Sequence, residues 1–156
     1  MMASRFRRRL VMFFLVIYAA FVGLITLTPR MPGSGLLDRI VLRFLFELHA
    51  RGITSIDFLA IEFAGNILMF LPLGFFAALL IPRKAWWSLL FLGTAFSAFI
   101  EFFQSAYLPG RVPEVRDLAS NTIGFLMGAS FAVSIRLLVS HRDSLVEHDR
   151  RAALAR

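Results

Sequence analysis

Three features of the 156-residue sequence predict an all-α, polytopic membrane protein, a bundle of four transmembrane helices. Hydrophobic residues make up 58% of the chain, 18 of them Phe, and the mean hydropathy is +0.74. A soluble domain is nearer about 45–50% apolar and could not bury such a surplus. Four apolar runs each approach the ~20 residues that cross a bilayer as a helix. Basic residues gather at the ends of those runs, as membrane topology requires. Unpaired backbone is costly in hydrocarbon, so each run should be helical throughout.

The first span, 10–27, holds 18 residues without a charge and follows Arg5, Arg7, Arg8 and Arg9. It resembles a signal sequence, but the apolar run is too long and TPRMPGSG after it offers no A-x-A cleavage site, so a retained span is expected. The second, 63–81, contains Gly65, Asn66, Pro72 and Gly74. Pro72 lacks a backbone donor and crowds the carbonyl of Leu68, which predicts a kink. The third, 86–103, opens with Trp86 and Trp87, suited to a membrane interface. The fourth, 118–139, completes a membrane domain over 1–139, and a charged tail follows over 140–156. Within the 28–62 loop, LLDRIVLRFLFEL (36–48) mixes charged and apolar residues at helical spacing. It fits a helix lying in the interface as well as one packed over the bundle mouth.

Basic residues set the expected orientation. Eleven Lys and Arg fall on one side of the four spans and six on the other. The positive-inside rule then places both termini in the cytoplasm and the chain in the cytoplasmic membrane, multi-pass. The net charge of +7 would also suit nucleic acid, but the arginines cluster where topology needs them, so no such partner is expected. Cysteine is absent and His49, His141 and His148 are isolated, so neither a metal site nor a cofactor is expected.

With that orientation, polar residues scattered along the sequence collect at the outer ends of the spans. Glu62 and Asn66 open the second, Glu101 and Gln104 close the third, and Asp117 and Asn121 open the fourth; Arg111 and Arg116 lie in the loop between. Thr94, Ser97, Glu101 and Gln104 follow i, i+3, i+7, i+10 and form one stripe. Ser120, Gly124, Gly128 and Ala132 form a small-xxx-small series that lets a neighbouring backbone approach closely; Pro72 and Gly74 join Gly124 and Gly128 as expected packing residues. Asp117 suits a helix N-terminus, and Glu101 suits pairing with Arg111 or Arg116. EFAGNILMFLPLGFF from Glu62 also aligns without gaps on DLASNTIGFLMGASF from Asp117, suggesting two repeated hairpins about an axis along the membrane normal.

Each of these residues has a structural reading: the Asn residues as interhelical contacts, Asp117 as a cap, Glu101 as an ion-pair partner. Together, two signs of charge at membrane depth make a default binding-site hypothesis. The hypothetical ligand-binding layer is Glu62, Asn66, Glu101, Gln104, Arg111, Arg116, Asp117 and Asn121.

NILMFLPLGF from Asn66, then EFFQ, then GR, then Asp117-x-x-x-Asn121-x-x-Gly124-x-x-x-Gly128 resembles the VanZ-like family. The resemblance runs from about Leu10 to Val139; Glu114 fills the place of the second acid that family members often carry, and the loop from Thr28 to Ala60 matches poorly. It implies a small bacterial integral membrane protein of a family whose founding member is linked to teicoplanin resistance. It carries over no enzymatic activity, cofactor or substrate.

The expected function is non-enzymatic: binding of a lipid headgroup or lipid-linked cell-wall precursor at the outer face, with an effect on glycopeptide (teicoplanin) susceptibility. The alternative is a membrane-embedded enzyme acting on such a lipid through Glu101 or Asp117, or a small transporter component that dimerises through Gly124 and Gly128. No residue is assigned as catalytic, because MGAS at 127–130 is not a nucleophile elbow and no distant His supports Ser130.

Overall fold

The computed structural model describes residues 5–27, 36–107 and 114–154. It is all helical, with five α-helices and no strand among the described residues: α1 (Arg5–Leu27), α2 (Leu36–Ala50), α3 (Phe58–Leu80), α4 (Ser88–Tyr107) and α5 (Val115–Leu154). A single 3-10 turn, Arg83–Ala85, links α3 to α4. All but α2 are long and apolar enough to cross a membrane. Each helix outruns its apolar stretch at one end or both, because backbone hydrogen bonding does not stop where hydrophobicity does. The exceptions are the end of α3, where Ile81 is the C-cap, and the start of α4, where Trp86 and Trp87 stand in the preceding turn, well exposed. α5 continues through the charged stretch for 40 residues in all.

The core is thin and mixes alanines with a few large apolar side chains. Phe70, Ile100, Phe125, Ala129 and Ala132 are buried together with Val22 of α1. Most large apolar side chains point outward instead; Leu24, Leu68, Phe91 and Phe102 are all about two-thirds exposed or more. In water that would be a large penalty, whereas against lipid tails it costs nothing, which is the pattern of a membrane bundle.

α3 and α5 form the central pair. A Cβ added at Gly74 would fall on the carbonyl of Phe125, one at Gly124 on that of Ile67, and one at Gly128 on that of Leu71. Only glycine allows backbones this near, so the small-residue series of α5 is spent on α3. A homodimer, if formed, would have to use another surface. From Ile67–Gly124 to Leu71–Gly128 the contacts advance four residues on both helices, so α3 and α5 are parallel. Pro72 lies inside α3, which is continuous through it.

α1 packs antiparallel on α3. The Tyr18 hydroxyl donates to the Met69 carbonyl at 3.1 Å, and Phe14 stacks on Phe76 with centroids 6.1 Å apart. α4 packs antiparallel on α5, with the Phe125 ring over Gly93. The helices therefore associate as two hairpins, α1 with α3 and α4 with α5, that meet along α3 and α5.

One clamp at the end of the bundle remote from the α4–α5 connection was invisible in sequence. Arg136 of α5 donates through one terminal nitrogen to the carbonyls of Ala78 (2.7 Å) and Ile81 (2.9 Å), closing the C-terminus of α3. A cation there also meets the negative end of the helix dipole. Arg136→Met is expected to lower stability by about 1.5–3 kcal/mol, read as thermal unfolding of the detergent-solubilised protein. An unchanged midpoint would show that the clamp contributes nothing.

Candidate functional site

At the opposite end of the bundle, α3, α4 and α5 each deliver acids or amides to one layer. Asp57 caps α3, its carboxylate accepting from Ala60 N at 2.8 Å. That start brings Glu62 and Asn66 into the first turns of α3, on the side facing α5. α5 begins just after Glu114, whose carbonyl accepts from the backbone of Asp117 and Leu118. Asp117 thus lies in the first turn of α5, where the helix dipole favours a negative charge.

Three polar contacts tie the helices across this layer. Asn66 Nδ2 donates to Asp117 Oδ1 at 3.0 Å, joining α3 to α5. One terminal nitrogen of Arg116 donates to Glu62 Oε2 at 3.2 Å and lies 3.8 Å from a Glu114 carboxylate oxygen. The backbone N–H of Glu114 donates to Glu101 Oε2 at 3.2 Å, joining the start of α5 to α4. Arg116 is about one-third exposed, yet its Nε is buried with no hydrogen-bond partner.

The α4 stripe lies inside, with Ser97, Glu101 and Gln104 all buried. Asn121, also buried, donates to Ser97 Oγ at 3.1 Å, and its Oδ1 has no partner. Gln104 reaches α1, donating to the carbonyl of Thr26 at 2.8 Å. All four apolar spans therefore share one polar stratum.

The structure brings together Glu62, Asn66, Glu101, Arg116 and Asp117 through these contacts and sets Gln104 and Asn121 on buried flanking ones. Arg111 lies outside the described residues. Of the two pairings suggested for Glu101, the one with Arg111 lies outside the described residues, while Arg116 pairs with Glu62; Glu101 also accepts from the backbone of Glu114. Of the two matched acid–amide sets, Asp117 meets Asn66, whereas Glu62 and Asn121 turn to Arg116 and Ser97. The two matched sets therefore do not share the same polar partners. Glu114, Ser97 and Thr26 are site members that the layer did not include. In the sequence, Glu114 stands out as the second acid of the family resemblance rather than as a member of the layer, and Thr26 acts through a carbonyl that no side-chain pattern reveals.

Chemically, the layer offers carboxylates held in fixed orientations, three amides and a guanidinium beside two acids. Among the described residues, no group of three or more His, Cys, Asp or Glu could hold a metal ion. Ser130 lies elsewhere, in an open groove of α5 lined by Ile123, Leu126, Met127, Phe131 and Ser134, without an acid or histidine beside it.

The family model described as VanZ/LLP1 matches residues 10–138, most of the chain and every helix of the layer. No curated protein and no solved structure matches.

Proposed function

This chain belongs to the VanZ/LLP1 family and is a membrane protein; from that premise we propose that it binds an anionic headgroup, of a membrane lipid or a lipid-linked cell-wall precursor, without chemical turnover. The protein sits in the cytoplasmic membrane with both termini in the cytoplasm, so the polar layer faces outward. Through this binding it affects susceptibility to glycopeptides such as teicoplanin.

One observation carries the reading. Arg116 is held between Glu62 and Glu114 at the edge of the apolar bundle, partly exposed, with its Nε unpaired. The exposed part of a guanidinium fixed this way suits a phosphate oxygen, an acceptor that arginine binds well. The acids and amides around it suit the hydroxyls and amides of a sugar or peptide headgroup. Ion pairs cost desolvation energy at this depth, so a cluster of them supports binding rather than packing alone.

The test is mass spectrometry of lipids that copurify with the protein, beside teicoplanin susceptibility of cells expressing it. Arg116→Gln should insert normally, lose the enriched anionic lipid by roughly tenfold or more, and abolish any tolerance phenotype. Full retention of lipid and phenotype would refute the proposal. Conversion of a labelled lipid-linked precursor by the purified protein would replace binding with catalysis.

A further inference from the structure

The helix that belongs to neither the core nor the polar layer is α2. Its turn into α3 is tightly built. Gly52 takes a left-handed conformation (φ 81°), Ile53 N donates to the Leu48 carbonyl and Gly52 N to that of His49, each at 3.0 Å. This is the Schellman stop of a helix. The His49 Nε2 contacts the Ile56 carbonyl at 3.0 Å, and Asp57 then caps α3. α2 is therefore fixed relative to α3, and Leu45 is its buried anchor, 6% exposed. Because α1 and α3 are antiparallel, the end of α1 and the start of α3 lie at one end of the bundle. α2 joins them and is confined to that end, at the level where the spans leave hydrocarbon.

Its remaining surface has an order that bundle packing does not use. Arg39, Arg43 and Glu47 recur every four residues in an exposed stripe nearly opposite Leu45. Apolar flanks border the stripe: Ile40 and Phe44 on one side (55% and 53% exposed), Leu42 and Phe46 on the other (49% and 73%). Arg51 follows, exposed, at the helix terminus. A helix only capping the bundle would have one apolar face, whereas this one has an anchor plus two exposed apolar flanks beneath cations. That is how a helix lies in the headgroup region, with rings at the acyl boundary and guanidinium groups reaching up to phosphate.

We propose that α2 is a membrane-surface helix whose Phe44 and Phe46 flanks enter the leaflet at the polar-layer end while Arg39 and Arg43 gather anionic phospholipid around it. The complementarity is of charge as well as hydropathy, since each arginine near an anionic surface favours association roughly fivefold. This surface is separate from the Arg116 layer, so either proposal can fail without the other.

The chain has no cysteine, so single labels can be placed at will. Bimane attached to Phe44→Cys, Phe46→Cys or Glu47→Cys would be read in vesicles of phosphatidylcholine with a minor share of phosphatidylglycerol, bromines being carried shallowly on one lipid or the other. Labels at 44 and 46 should be quenched and the label at 47 spared. At equal mole fraction, brominated phosphatidylglycerol should quench more than brominated phosphatidylcholine. Adding Arg39→Gln and Arg43→Gln should remove that preference, a fall of roughly tenfold or more in relative association, while leaving apolar quenching in place. Absence of quenching at both 44 and 46 overturns the proposal, as does equal quenching by the two lipids in the arginine-containing protein.

Discussion

Gly128→Ala is expected to be among the most damaging single-methyl changes in the protein. The new carbon would land on the Leu71 carbonyl, with Phe75 N 3.0 Å away. These are backbone atoms of a helix and cannot rotate aside, so α3 and α5 must separate along their whole seam. Overpacking that side chains can absorb costs about 1–3 kcal/mol, and this site belongs at the upper end or above. The loss is compounded because lipid supplies no hydrophobic force to push the helices back together. Thermal unfolding in detergent should show a midpoint lower by roughly 5–10 °C, with Gly124→Ala behaving alike. Gly65→Ala is the control on the same central pair. Nothing lies within 4 Å of its added carbon, so it should be neutral or gain up to about 1 kcal/mol from helix propensity. Equal stability of Gly128→Ala and wild type would mean that the α3–α5 seam does not run where it is described.

The second large effect is at Asp117, and a double-mutant cycle separates its two consequences. Asp117→Ala removes the acceptor of Asn66 Nδ2 and leaves a part-buried amide donor unpaired, a cost of about 1–3 kcal/mol. Asn66→Ala alone leaves a carboxylate in place that still sits at a helix N-terminus and should cost less. Removing both partners leaves no unpaired Asn66 amide, so the double variant should be more stable than the sum of the singles by about 1 kcal/mol. Stability should recover in the double variant, but retention of anionic lipid should not, because ligand contact needs the groups themselves. Additive stability changes would rule out the Asn66–Asp117 pairing. Recovery of lipid retention in the double variant would show that the layer acts only by holding the helices.

The four spans were legible because apolar composition and length act locally and leave little choice in a bilayer. The stripe of Ser97, Glu101 and Gln104 and the series from Ser120 to Ala132 were legible for a similar reason, since helical periodicity fixes which residues share a face. The partners across helices were not. Asn66 and Asp117 are 51 residues apart and Arg116 and Glu62 are 54 apart, and such pairs depend on how far each helix is rotated. Arg136 read only as one more basic residue at a span end, because a topology count records which side a charge is on and not what it bonds. The stops were missed for a different reason. Gly52 and Asp57 occupy a stretch with little hydropathy contrast, and their roles show only through backbone geometry.

The spacing of two features along α5 has a consequence for the choice of membrane. Asp117 and Arg136 stand nineteen positions apart on one unbroken helix, about 28 Å at 1.5 Å per residue. That nearly equals the ~30 Å hydrocarbon thickness of an ordinary bilayer. The acid at one boundary and the guanidinium at the other thus act as fixed calipers. Neither can slide, since each is bonded to α3. A thicker bilayer would draw one of these charges into oil or force the lipid to thin around the protein, so binding at the acidic end should weaken steadily as acyl chains lengthen.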